Sequence, residues 1–136
     1  MDQPKVKDEP FSRLLYIEDD EDIQKIAKIA LESIGKFELK MSNNGLRGID
    51  DARTFKPQLI LLDAMMPEMD GPGTIKRLKQ DPDLKDIPVI FVTARVQPEE
   101  RKEYTDLGAI DVIAKPFDPM NLSNQIRTIW QNLPKF

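Results

Sequence analysis

The chain is punctuated by short, uninterrupted apolar runs, and each run stops abruptly at a polar residue. Leu14-Leu15-Tyr16-Ile17 ends at Glu18-Asp19-Asp20, Leu59-Ile60-Leu61-Leu62 ends at Asp63, and Val89-Ile90-Phe91-Val92 ends at Thr93. A further stretch, Ile110-Asp111-Val112-Ile113, ends just before Lys115-Pro116. Continuous apolar runs of this length fit strands covered on both faces, as in a parallel sheet. They fall far below the roughly 20 apolar residues that cross a bilayer. Phe37-Glu38-Leu39-Lys40-Met41 alternates apolar with polar, the pattern of a half-buried strand.

Between the runs the apolar period changes to that of a helix. Ile23, Ile26, Ala27, Ala30, Leu31 and Ile34 form one stripe, with Gly35 at the position of a C-terminal cap. Asn43-Asn44-Gly45 marks a turn and an N-cap, followed by Leu46, Ile49, Ala52 and Phe55 on a second helix. The stretch from Met65 to Gly73 reads as a loop, after which Ile75 and Leu78 support a short helix closed by Asp81-Pro82. Pro98-Glu99-Glu100 is a helix first turn, running to Leu107 and stopping at Gly108. Asp118-Pro119 reads as an N-cap and N1 pair, and Leu122, Ile126, Ile129 and Leu133 stripe the last helix. Five strands alternating with five helices predict an α/β, doubly wound domain with helices on both faces of a parallel sheet. Tyr104 and Trp130 are expected to be packing or surface aromatics and not ligand contacts.

The chemistry open to this chain is narrowed by two zeros: among 136 residues there is no Cys and no His. That excludes disulfides, thiol nucleophiles, Cys/His zinc sites and triads built on His. It also means that the chain has no histidine from which to donate a phosphoryl group. With 20 Lys and Arg against 24 Asp and Glu, the net charge is −4, which argues against a nucleic-acid surface. Residues 1–10 are polar and charged, unlike a secretory signal, and are expected to form a flexible leader before a single domain over residues 11–136. The expected address is the cytoplasm.

In a doubly wound sheet, ligands bind beyond the carboxyl ends of the strands, where strand order reverses. Glu18, Asp19, Asp63, Thr93 and Lys115 all stand at those ends. Two carboxylates about 4 Å apart repel by on the order of 4 kcal/mol at an effective dielectric of about 20, so such a cluster raises a pKa or recruits a cation. An all-oxygen donor set suits Mg²⁺, with Mn²⁺ as the other candidate. Asp63 ends its strand alone and is the natural nucleophile. The Glu18-Asp19-Asp20 run has an alternative reading as the acidic cap of the first helix. Asp70 and Asp111 read as turn and surface acids.

These segments, together with Met66-Pro67-Glu68-Met69-Asp70-Gly71, Val92-Thr93-Ala94 and Lys115-Pro116-Phe117, resemble the CheY-like receiver domain of two-component response regulators. The resemblance spans roughly residues 12–133. Asp19, Asp63, Thr93 and Lys115 follow one another at separations of 44, 30 and 22 residues, typical of that family. It implies a flavodoxin-like sheet in the order 2-1-3-4-5. It implies Asp63 as the phosphoacceptor, and Glu18 and Asp19 as the acids that hold Mg²⁺ with Asp63 and the Met65 backbone carbonyl. It implies Thr93 as the switch hydroxyl, Lys115 as the cation that pairs with the phosphoryl group, and a cis Lys115-Pro116 bond. The implied partners are a sensor histidine kinase or histidine phosphotransfer protein and a downstream protein target. No nucleic acid or membrane contact is implied, and the chain is expected to be a monomer or a weak, phosphorylation-dependent dimer. The output face implied is about residues 95–133.

One position departs from the family pattern. Many members carry Tyr or Phe three residues before the lysine, and here that residue is Val112. Arg95 and Met65 sit where the family tunes access of water to the acyl phosphate. Two other functions compete with the phosphorylation switch: a degenerate receiver used as a scaffold, and a Mg²⁺-dependent aspartyl phosphatase. The second usually needs an Asp two residues after the nucleophile, and here that residue is Met65. The chain is therefore expected to be a phosphoacceptor with at most self-catalysed phosphotransfer and autodephosphorylation.

Overall fold

A computed structural model of the chain describes residues 10–134. The strands are β1 (Arg13–Ile17), β2 (Glu38–Ser42), β3 (Leu59–Asp63), β4 (Val89–Thr93) and β5 (Asp111–Ala114). The helices are α1 (Glu21–Lys28), which continues as a π-helical turn over Ile29–Ile34, α2 (Gly45–Phe55), α3 (Gly71–Gln80), α4 (Pro98–Asp106) and α5 (Leu122–Gln131). All strand pairs are parallel, in the order β2-β1-β3-β4-β5. The predicted fold class and strand order are therefore those observed. The expected flexible leader lies outside the described residues except for Pro10, whose carbonyl accepts a hydrogen bond from Gln58 Nε2 at 3.0 Å. Among the described residues no helix is long and apolar enough to cross a membrane.

The apolar runs supply both faces of the sheet because successive strand side chains point to opposite sides. Leu15, Ile17, Ile60, Leu62 and Phe91 pack under α2, α3 and α4. Leu14, Tyr16, Leu59, Leu61, Ile90 and Val92 pack under α1 and α5. The β3 and β4 strands are buried along their whole length. Of the packing and surface readings, packing holds for both Tyr104 and Trp130. The Tyr104 ring lies 4.6 Å from Phe91, and Trp130 stacks on Phe11 at 4.1 Å, with Arg127 over the neighbouring Phe37 ring.

Several local readings are corrected by tertiary contacts. On the first helix Ala27, Ala30 and Leu31 are buried, whereas Ile26 and Ile34 remain 44% and 39% exposed. Beyond Lys28 the helix passes into the π turn, within which Ala30 and Leu31 stay buried. Its Ala30 carbonyl accepts both Gly35 N at 3.1 Å and the buried Ser123 Oγ of α5 at 2.9 Å. Gly35 is not a left-handed cap: its φ is −84°, and Lys36 takes the positive φ of 62°. Gly35 is there for space, since a Cβ would run into the Ser123 hydroxyl. Leu46 on α2 is exposed. The loop after β3 is shorter than expected, because Asp70 caps α3 by accepting from Gly73 N at 2.8 Å and the helix starts at Gly71. Asp118 does not cap α5. It closes a turn with Met120 N, and the helix begins at Leu122.

Gly35→Ala is expected to destabilise the protein by about 1–3 kcal/mol through overpacking against Ser123. Adding Ser123→Gly should recover part of that loss. Urea unfolding of the two variants checks it, and a Gly35→Ala protein as stable as wild type contradicts it.

Candidate functional site

Strand register brings the polar run-ends together. Ile17 pairs with Leu62 across β1 and β3, so the next residues, Glu18 and Asp63, emerge side by side. The sheet order reverses between these two strands, which is where a doubly wound sheet opens its crevice. Asp63 pairs with Val92 and Thr93 pairs with Ala114, which brings Thr93 and Lys115 to the same end. Behind Asp63, α3 starts so close that a Cβ on Gly71 would lie 2.6 Å from Ala64 Cα, and Gly71 N donates to the Ala64 carbonyl at 3.0 Å.

The backbone of Glu18 is fixed at both ends. Its N–H donates to the Ser42 carbonyl at 2.9 Å, and its carbonyl accepts from Gln24 Nε2 at 2.6 Å. Glu18 is fully buried, Asp63 is nearly so, and Asp19 is partly exposed. Lys115 reaches in from the end of β5. Its Nζ lies 2.8 Å from Glu18 Oε1 and 3.2 Å from Asp63 Oδ1, and its bond to Pro116 is cis. Asp63 Oδ1 also accepts from Met65 N at 3.1 Å. Thr93 is buried and its Oγ1 accepts from Arg95 N at 3.1 Å. Glu18, Asp19, Asp63, Met65, Thr93 and Lys115 all line one open cleft of about 370 Å³. All the residues singled out from the sequence for this site are thus brought together.

The capping alternative holds for one acid only. Asp20 caps α1, with Oδ1 accepting from Asp22 N at 2.8 Å and Ile23 N at 3.2 Å. Glu18 and Asp19 are left to the cleft. Carboxylate oxygens of Glu18, Asp19 and Asp63 lie within 4.8 Å of one another. One lysine ammonium faces three acids, so the cluster carries excess negative charge in a poorly solvated place. Burial, with Asp63 adding to it and Lys115 opposing, pushes Glu18 up to about 7. Burial and Asp63 also raise Asp19. Burial pulls Lys115 down, but Glu18 and Asp63 outweigh it and hold its pKa above the usual lysine value. Three oxygen donors sharing this space, with no nitrogen or sulfur ligand among them, fit a hard divalent cation such as Mg²⁺.

One residue of the site was missed in the sequence. Tyr16 is fully buried and its hydroxyl donates to Glu18 Oε1 at 3.2 Å. The signal was present: Tyr16 holds the one polar side-chain atom in its apolar run, a buried phenol needs a partner, and residues i and i+2 of a strand share a face. Val112, where an aromatic was expected from the family, is buried in the same cluster as Phe91 and Tyr104. Aromatic bulk at this layer comes from α4 instead of β5. Arg101 ties that region together, with Nε donating to the Val96 carbonyl at 3.1 Å and Nη1 to the Val112 carbonyl at 3.5 Å.

The family model described as the response regulator receiver domain matches residues 14–127. The chain belongs to the receiver-domain family. Among curated proteins this receiver is 35% identical over 117 residues to the DNA-binding dual master transcriptional regulator RpaA of Synechocystis, covering 86% of this chain and 48% of that protein. It is 31% identical over 121 residues to response regulator Rre1 of the same organism, covering 89% and 52%. The chain spans about half the length of these relatives. Among solved structures, the signal receiver domain of a histidine kinase from Syntrophus aciditrophicus superposes with a TM-score of 0.77 at 30% identity, over 92% of this chain and 94% of that one. The chemotaxis protein CheY4 of Vibrio cholerae matches the fold with a TM-score of 0.81 at 23% identity, over 88% and 99%. Receiver domains bind Mg²⁺ through acidic residues, and this receiver has the corresponding cluster. The two curated relatives are named as regulators.

The raised pKa of Glu18 has a definite sign for stability. The folded protein keeps the Glu18 proton up to about pH 7, above its ordinary 4.5, so this contribution is complete below that lower value and is lost as pH rises through 7. In chelator, Asp63→Asn removes the nearest like charge and is expected to melt higher than wild type, by a margin that grows from pH 5 to pH 7.5. Calorimetric melting at both pH values checks this; a margin that shrinks with pH contradicts it.

Proposed function

We propose that this receiver is a phosphorylation switch in which Asp63 accepts a phosphoryl group from a phosphohistidine of a sensor histidine kinase or histidine phosphotransfer protein. An Asp63 carboxylate oxygen forms the new P–O bond as the P–N bond of the donor imidazole breaks. The bonding pair stays on the imidazole nitrogen, which takes up a proton. The chain has no histidine, so the donor is a separate group from this sequence. The observation that carries the reading is Lys115 Nζ bridging Glu18 and the buried Asp63 at 2.8 and 3.2 Å. It sets a fixed cation beside the acceptor oxygen, where the charge of the incoming group falls.

Glu18, Asp19 and Asp63, with the Met65 carbonyl, would hold Mg²⁺. When bound, that ion shields the phosphoryl oxygens from the carboxylate they approach. The aspartyl phosphate carries roughly −1.5 to −2 charge where the carboxylate carried −1. Lys115 and the Thr93 hydroxyl then turn toward it, and Thr93 carries the Ala94–Gln97 segment with it. Because Val112 lacks an aromatic ring, the change travels through that segment and through Arg101, which spans Val96 and Val112. The altered surface over residues 95–133 meets a downstream protein target. The setting proposed is the cytoplasm, without direct contact with nucleic acid or membrane, and as a monomer or a weak phosphorylation-dependent dimer.

Acetyl phosphate and Mg²⁺ test this with a small-molecule donor. Intact-mass spectrometry is expected to show a gain of one phosphate in the wild type, none in Asp63→Asn, and at least a tenfold slower gain in Lys115→Met, about 1.4 kcal/mol of barrier or more. No gain in a wild-type protein that binds Mg²⁺ overturns the reading.

A further inference from the structure

Glu18 is held more completely than a mere metal-binding acid requires. A carboxylate offers about four lone-pair positions. Glu18 Oε1 accepts both Lys115 Nζ at 2.8 Å and the Tyr16 hydroxyl at 3.2 Å, and Oε2 accepts Asp20 N at 3.2 Å. Three positions are therefore taken by the protein, and the one left is on Oε2. The backbone on either side is pinned to Ser42 and Gln24. The remaining freedom of Glu18 is rotation of a side chain one methylene longer than aspartate. Lys115 alone cannot stop that rotation, because it is shared with Asp63 and is attached through a long, flexible stem. The Tyr16 phenol is different: its ring is wedged in the α1/α5 layer among Leu14, Leu31 and Leu61, so its hydroxyl is a fixed point.

We infer that Tyr16 is a positioning residue of the cation site, whose hydroxyl fixes the Glu18 carboxylate with Oε1 toward Lys115 and Oε2 toward Asp19 and Asp63. The inference rests on the divalent-cation reading proposed above. It assigns different jobs to the two acids that follow β1. Glu18 gives a single oriented oxygen and anchors the lysine, while Asp19, partly exposed, serves as the adaptable ligand. Replacing the phenol by a phenyl group keeps the ring in its layer but frees Glu18 to turn, so the cation loses a preorganised oxygen before any chemistry begins.

Isothermal titration of MgCl₂ into the chelator-treated full chain at pH 8 tests it. Tyr16→Phe is expected to weaken Mg²⁺ binding by about tenfold or more, the effect of losing one buried hydrogen bond to a charged group. The rate of phosphate gain from acetyl phosphate at limiting Mg²⁺ should fall in the same proportion, since less of the protein then holds the cation. A packing role would lower Mg²⁺ affinity regardless of Glu18. In a Glu18→Gln background, Tyr16→Phe should therefore change the Mg²⁺ dissociation constant by less than about twofold. Equal affinity in wild type and Tyr16→Phe overturns the inference, as does an undiminished effect in the Glu18→Gln background. A wild type that binds Mg²⁺ without gaining phosphate, while Tyr16→Phe still binds more weakly, supports Tyr16 and overturns the phosphoacceptor reading alone. A wild type that binds no Mg²⁺ overturns both.

Discussion

A single ammonium group, Lys115 Nζ, stands between two buried carboxylates, and the rest of the site depends on it. Glu18 is wholly removed from water and Asp63 almost so. Without a cation their mutual repulsion would drive one of them to keep a proton or would push β1 and β3 apart at their ends. Lys115 relieves part of this and leaves the remainder, since Asp19 adds a third acid that no ion pair among the described residues matches. A buried pair of this kind is weak evidence of stability, because desolvation cancels much of the attraction. Its meaning is functional: the scaffold holds an unbalanced charge in readiness for a ligand that completes it.

The sheet makes this arrangement affordable in space. β1 and β3 are neighbours, their register sets Glu18 beside Asp63, and β4 and β5 carry Thr93 and Lys115 to the same end. Two layers of helices, α1 with α5 and α2 with α3 and α4, seal the faces so that the strand ends are fixed. The close approach of α3 at Gly71 closes the floor behind Asp63. Around α4 the fold is tied by Arg101 across Val96 and Val112 and by Tyr104 against Phe91.

Much of this was legible in the sequence because it is local or periodic. Apolar runs ending in Glu18, Asp63 and Thr93 mark strands and site at once, since the same boundary ends the strand and opens the crevice. What escaped is long-range. The π turn at Ile29–Ile34 and the role of Gly35 depend on Ser123, 88 residues away from Gly35 in the chain. The late start of α5 depends on the turn that Asp118 closes, not on propensity. Ile26 and Leu46 fit a stripe by spacing yet face solvent, because spacing does not say how wide the buried stripe is. Tyr16 looked like one more apolar strand residue; its hydroxyl acquires meaning only once Glu18 is seen on the same face.

Asp63 is proposed to carry the acceptor oxygen, and locating the bond directly is the most decisive check. Borohydride reduction of the phosphorylated protein converts an aspartyl phosphate to homoserine, which peptide sequencing by mass spectrometry can place. Homoserine at position 63, and unmodified acids at 18 and 19, is the predicted result. Reduction at Asp19 or another aspartate, with position 63 intact, would contradict it.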